Sequence, residues 1–359
     1  MKVYLLIYLV TIILCIIETN LEYVTIGVRK ISTSVFSTII IYPYILLLGV
    51  LRSEVLGVDA LNYKNNYWDV YKNLDLLNAI KYDSDVGYGL MNWGISRYTS
   101  DFWVFRAILF AITFSIISVW IWKYSKNVAL SYFIFIALGF IGFDFTILRQ
   151  ALAVSLSVWS YKYLIERKTF KFVLIVLLAA FFHKTALIML LVYPLLSKRV
   201  TELKKWIKIV YLIGAGSIVA IGGKIIAILY QRNDYTLDLN SGHGYSLLLF
   251  YIGVFLIIYF FIQRISKRDK LLYEYDIAIS SIYVQIIATS ISIFTRMLKY
   301  TTPYLFVLIP DVMDKLDKKT KNVMLVVIIM VMSILFLKSH GAEENIIPYM
   351  SHFMDMKKL

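Results

Sequence analysis

Apolar runs of about twenty residues follow one another from end to end of this chain. The short connections between them alternate: one is rich in Lys and Arg, the next is nearly free of them. A run of that length crosses the ~30 Å hydrocarbon core of a bilayer. Short basic loops stay on the cytoplasmic side, so alternation marks a polytopic helical membrane protein. A chain that is 60% hydrophobic, with a mean hydropathy of +0.73, does not match a soluble domain of 359 residues. The reading is all-α, a single polytopic membrane domain over residues 1–359.

The formal charge of +14 would suggest nucleic acid in a soluble protein. Here most of the excess lies in the basic loops, where topology and anionic lipid headgroups account for it, and no basic-aromatic nucleic-acid surface is present. Cys15 is the only cysteine and lies in the first apolar run, which excludes an intrachain disulfide and a Cys-based metal site. The first run follows Lys2, ends at Glu18-Thr19-Asn20 and has no small-residue cleavage pattern, so it reads as a retained helix.

Helices are expected at 3–19, 32–51, 102–122, 127–143, 147–165, 170–182, 184–197, 206–230, 245–264, 274–295, 298–314 and 321–338, giving ten to twelve spans. Five basic clusters go to the cytoplasm: Lys123/Lys126, Arg167/Lys168/Lys171, Lys198 to Lys208, Arg264 to Lys270, and Lys315 to Lys321. Segments 52–101, 144–148, 231–244, 296–299 and the tail after 338 then face outward. Arg29 and Lys30 make the first connection cytoplasmic and the N-terminus external.

About 25 mostly apolar residues separate the basic clusters at 166–171 and 198–208, and both flanks belong to one side. At ~1.5 Å per residue this is about 37 Å of helix, enough for one crossing and not two. A hairpin of short helices or a re-entrant loop resolves the conflict, with its tip at Phe181-Phe182-His183-Lys184-Thr185. Two tilted helices borrowing from the flanks are the alternative. In segment 52–101, Tyr67, Val70, Tyr71, Leu74 and Leu77 follow helical spacing with Asp69, Lys72 and Asp75 opposite, which predicts amphipathic helices at the membrane-water boundary.

No P-loop, dinucleotide fingerprint, HExxH or Cys/His metal pattern occurs, so neither cofactor nor metal is expected. The candidates are ionisable residues at the membrane. Arg149-Gln150 opens a helix on the outward side, where a guanidinium and a helix N-terminus together suit a phosphate or diphosphate. An ion pair with Asp144, or snorkelling to lipid phosphates, is the structural alternative. Arg296 lies where Ile293 to Tyr300 turns outward, with Lys299 as a second cation. His183-Lys184 sits at the hairpin tip, as a proton acceptor or as a hydrogen-bonded residue that fixes the tip. Arg52, Asp59 and Tyr63 open the long outward segment. Asp59 suits a general base toward a sugar hydroxyl or, equally, a helix cap. Asp85-Val-Gly87-Tyr88 carries a weaker signal.

At these residues the chain resembles the EpsG family of Wzy-type bacterial polysaccharide polymerases, over about residues 45 to 352. Arg52 through Gly57-Val58-Asp59 to Tyr63 resembles the R…GxD…Y entry to the family's first large loop, with Val58 where Thr is commoner. Asp85-Val-Gly87-Tyr88 to Asn92 resembles the acidic-x-Gly-aromatic stretch that follows. Leu148-Arg149-Gln150-Ala151-Leu152-Ala153 matches R-Q-x-L/I-A, and Phe182 to Ile188 matches F-H-K/R-S/T-A-L/I. Phe294-Thr295-Arg296 to Tyr300, then Ile347-Pro348-Tyr349, resemble the closing elements.

The resemblance implies a GT-C-like fold and a glycosyltransferase in the bacterial cytoplasmic membrane. It would join undecaprenyl-diphosphate-linked oligosaccharide units on the outer face, with no nucleotide required. Arg149, Arg296 and Arg52 would bind the diphosphate and Asp59 or His183 would assist the acceptor. Gln150, Lys184, Tyr63 and Tyr300 would support them. A flippase and a chain-length regulator are the protein partners it implies. The competing functions are a flippase for the same lipids, a related lipid-glycan ligase, and a membrane acyltransferase. Ionisable residues gathered at one face favour surface chemistry over transport.

Overall fold

The computed structural model describes residues 2–26, 29–82, 85–195, 245–266, 269–289, 294–339 and 346–355. The expected helix at 206–230, the basic cluster around 198–208 and the outward loop 231–244 lie outside them. Helix α1 (Lys2–Asn20) leads through a two-stranded antiparallel ribbon, β1 (Tyr23–Ile26) and β2 (Arg29–Ser32), into α2 (Thr33–Val50). Segment 52–101 folds as α3 (Ala60–Asn65), a π-helical stretch (Asn66–Tyr71), α4 (Leu76–Tyr82) and α5 (Val86–Ser96). There follow α6 (Phe102–Tyr124), α7 (Val128–Ala137), α8 (Phe140–Thr146), α9 (Leu148–Ser157), α10 (Ser160–Ile165), α11 (Thr169–Phe182) and α12 (Ile188–Leu195). The chain continues with α13 (Tyr245–Ile262), α14 (Asp269–Ala278), α15 (Ser280–Ala288), α16 (Phe294–Thr301), α17 (Leu305–Asp314), α18 (Lys318–Ser339) and α19 (His352–Asp355).

Five of the described helices are long and apolar enough to cross a bilayer: α1, α2, α6, α13 and α18. The bent pair α7–α8 makes a sixth. Leu6, Leu9, Ile13 and Ile16 form an exposed stripe on α1, as do Val326, Met330, Ile334 and Leu337 on α18. Their spacing of three and four residues puts each set on one helix face, where hydrocarbon replaces water. Every residue of α7 is buried, so the core is built around that helix.

Several expected spans are broken. The run expected as one helix over 127–143 bends by 61° between α7 and α8. Gly139 at the bend has φ +70°, the left-handed region that L side chains avoid. Lys299 Nζ donates to the carbonyl of Leu138 at 2.9 Å and lies 4.4 Å from the Phe140 ring, so the break is satisfied from a distant helix. The run 147–165 divides into α9 and α10. The turn expected at 296–299 is instead inside α16, and the run at 274–295 is α14 and α15 with residues 290–293 outside the described set.

The hairpin inferred from chain length is present. α11 ends at His183, whose backbone is extended, and a 3₁₀ turn (Lys184–Leu187) starts α12. Tyr193 returns beside the start of α11: its hydroxyl bonds Thr169 and its ring lies 4.7 Å from that of Phe172.

Among the described residues, two of the five basic clusters share one end. Lys126, Lys318 and Lys321 line one cleft of about 570 Å³ together with Asn20, Tyr23 and Ser32 from the β1–β2 connection. There Glu18 caps α7, accepting from Val128 N–H at 2.7 Å and Ala129 N–H at 3.1 Å, beside the Asn127 cap. At the other end Arg52 pairs with Ser351 across an isolated bridge, and Tyr349 Oη donates to the Leu48 carbonyl at 2.9 Å. Tyr4 reaches the Ile346 carbonyl at 3.2 Å, so the start of α1 shares this end with segment 52–101 and the tail.

Candidate active site

Four separate pieces of chain converge at that second end. Gly57, with φ +111°, lies against the α8–α9 junction: a Cβ there would stand 3.1 Å from the Phe145 carbonyl. Gly87 lies against the end of α11, where a Cβ would be 2.8 Å from the Phe181 carbonyl. Missing side chains at these two points let segment 52–101 close onto the helix ends. α5 is thereby set beside His183, and its N-cap residue is Asp85.

Asp85 is the centre of the polar cluster. It is 2% exposed, and its Oδ2 lies 2.8 Å from His183 Nδ1 and 3.3 Å from Arg149 Nη1. Its Oδ1 accepts the backbone N–H of Lys184 at 3.1 Å. Burial opposes ionisation of the carboxyl. The His183 hydrogen bond and charge, the Lys184 N–H and the Arg149 charge outweigh it and hold Asp85 below the ordinary carboxylate range. Arg149 lies 5.9 Å from the Tyr63 ring and 5.7 Å from that of Tyr88, two faces that suit a guanidinium.

The cluster is tied to α16. Gln150 Nε2 donates to the Arg296 carbonyl at 2.9 Å, and Tyr300 Oη lies 3.0 Å from Thr185 Oγ1. These contacts bring Arg149, Gln150, His183, Lys184, Tyr63 and Tyr300 together, with Arg296 at the edge. The Arg296 and Lys184 side chains are exposed, and neither makes an ion pair among the described residues.

Three expectations meet a different arrangement. The partner found for Arg149 is Asp85, 64 residues away, where the sequence had offered Asp144. Arg52, expected to hold phosphate, is wholly buried. Its guanidinium donates to the carbonyls of Gly49 and Phe145 and lies 4.3 Å from the Phe145 ring, out of reach of an outside anion. Arg106, which sequence reading passed over, bonds the carbonyls of Arg52 and Ser53, so the two arginines fasten the end of α2 to α6. Asp59 is half-buried at the N-cap of α3 but makes no side-chain cap bond.

The expected amphipathic stretch is also interrupted. Tyr67 is buried, but the helix stops before Leu76 and Leu77 is 66% exposed. Asp85 was the residue most undervalued in the sequence. The visible signal was the glycine two positions after it.

The helices, the large folded segment between α2 and α6 and the Arg149–Asp85–His183 cluster can be set against known proteins. No curated protein and no solved structure matches the chain. The model of the EpsG family matches residues 34–351, a stretch that includes every residue of the cluster, and the chain belongs to that family.

Proposed function

We propose that the protein is a membrane glycosyltransferase that polymerises lipid-linked oligosaccharide units. Family membership supports a polysaccharide-polymerase type of activity in a membrane. The observation that carries the finer reading is the convergence of Arg149, His183 and Asp85 at one end of the helices, with Arg296 and Lys184 as further cations. Arg149 and Arg296 bind the diphosphate of a polyprenyl-linked donor glycan, and Arg149 presents the planar fork that suits phosphate oxygens. Lys184 adds charge, while Gln150 and Tyr300 fix the relative positions of α9, the hairpin tip and α16. Asp59 or His183 assists the acceptor hydroxyl. The donor's sugar-phosphate bond supplies the driving force, and its diphosphate is a good leaving group. Charge alternation puts this end on the outer face of the cytoplasmic membrane.

The test is the fate of lipid-linked single units in cells deleted for the protein. A polymerase leaves them accumulating in the outer leaflet with no long glycan made. Retention in the inner leaflet identifies a flippase and overturns this reading, as does unchanged polymer.

A further inference from the structure

The proposed reaction leaves the most buried charged group of the cluster without a role. Asp85 shares one oxygen between His183 and Arg149. The two contacts differ. The His183 bond is 2.8 Å. The Arg149 contact is 3.3 Å, longer than the ~2.7–2.9 Å of a strong charge-assisted bond, and the Arg149 side chain is 31% exposed. The second carboxylate oxygen is held by Lys184 N–H, so the group cannot swing to follow Arg149.

We propose that Asp85 is a positioning residue that makes His183, and not Asp59, the base for the acceptor hydroxyl, and that it yields Arg149 to the incoming diphosphate. This inference rests on the reading of function above. A carboxylate on Nδ1 puts the imidazole proton there and leaves the lone pair on Nε2. Among the described residues Nε2 makes no hydrogen bond, and the His183 side chain is 22% exposed, so that nitrogen is open to substrate. Asp59 has no comparable fixing: its carboxylate makes no cap bond and stands at the start of a six-residue helix. A base held in one orientation is the better catalyst.

A diphosphate offers Arg149 two oxygens where Asp85 offers one oxygen shared with His183. Once Arg149 turns to it, the Asp85 Oδ2 charge acts more strongly on His183 and stabilises the imidazolium that forms. The acceptor O–H proton passes to Nε2, and the oxygen bonds the donor's anomeric carbon. The bond from that carbon to the diphosphate oxygen breaks with its electron pair, and polyprenyl diphosphate leaves. The imidazolium then returns its proton to water.

The experiment uses full-length protein in vesicles with lipid-linked repeat units. Asp85→Asn is expected to lower kcat by about 100-fold or more, within the usual span for base catalysis, while donor KM changes less than about threefold. The Asp85→Asn/His183→Ala double variant should be no slower than His183→Ala alone, a non-additivity that a merely structural carboxylate does not produce. Asp59→Asn should lose far less turnover than His183→Ala. Inorganic pyrophosphate, read by thermal shift, should still bind Asp85→Asn and fail to bind Arg149→Ala.

Multiplicative losses in the double variant, or loss of turnover in Asp59→Asn while His183→Ala stays active, overturn the proposal. Wild-type protein that joins no lipid-linked units overturns the functional reading instead. The positioning role is then decided by ¹⁵N NMR of the His183 ring. A proton on Nδ1 in the wild type that is lost in Asp85→Asn upholds it, and a wild-type proton on Nε2 overturns it.

Discussion

Gly87→Ala tests whether close packing of α5 on α11 assembles the site. The new Cβ would lie 2.4 Å from Phe181 Cδ1 and 2.8 Å from the Phe181 carbonyl oxygen. The ring is 42% exposed and can rotate away; the carbonyl is backbone and cannot. Restoring an ordinary contact of ~3.5 Å moves α5 back by roughly 0.7 Å. Asp85 directly precedes α5, so its 2.8 Å bond to His183 stretches to the limit of a hydrogen bond. Overpacking of this kind costs about 1–3 kcal/mol of stability. A lost hydrogen bond to a charged group is worth about 1.5–3 kcal/mol, which is about 10- to 150-fold in turnover if the bond serves catalysis. Gly94→Ala is the control, since it lies in the same helix with nothing within 4 Å of its Cβ. It should melt at the same temperature or higher and turn over normally. The assays are thermal melting in detergent and polymer formation in vesicles. Wild-type behaviour of Gly87→Ala, or equal damage from Gly94→Ala, refutes the reasoning.

Three further outcomes are expected. Arg149→Lys keeps the charge but not the fork, and should lower polymerisation by about 30- to 1000-fold, the rate equivalent of 2–4 kcal/mol, at normal membrane yield; full-length polymer from Arg149→Ala would remove Arg149 from the diphosphate site. Asn66→Cys should react with an impermeant thiol reagent in intact cells and Ser266→Cys should not; labelling at position 266 would invert the assigned topology. The folded state depresses the Asp85 carboxyl, so its stabilisation is present above the unfolded value of about 4 and is lost as the pH falls through the lower folded value; the melting difference between wild type and Asp85→Asn should hold from pH 7 to pH 5 and shrink below about 4, and its disappearance near pH 6 would contradict the assignment.

What was legible in the sequence was chiefly what the bilayer dictates. Charge alternation placed Lys126 and the Lys318–Lys321 cluster at one end, and they line a single cleft. Counting rise per residue between two basic flanks required a reversal near His183, and Tyr193 does return to Phe172. The helix breaks were not legible. In a run that is apolar on every side there is no periodicity for a break to disturb, so 127–143 looks like one helix. The local mark is Gly139 at the bend, and the partner of the freed carbonyl, Lys299, lies 161 residues from Leu138.

The same limit governs the site. Arg52 and Arg149 look alike in sequence, each an arginine where an apolar run meets an outward segment. Burial separates them: Arg52 spends its donors on backbone carbonyls, while Arg149 keeps part of its surface open beside a carboxylate. Asp59 and Asp85 form a second such pair, each an N-cap acid in segment 52–101. Each has a glycine two positions away, but the glycines do different work. Gly57 lets the chain press against the α8–α9 junction, which anchors the segment and leaves Asp59 half-buried at the N-cap of α3. Gly87 lets α5 press against the last turn of α11, the turn that ends in His183. Here Asp85 reaches His183 because the backbone beside it approaches α11 more closely than a Cβ at position 87 would allow. The informative residue for finding Asp85 was therefore the neighbour with no side chain.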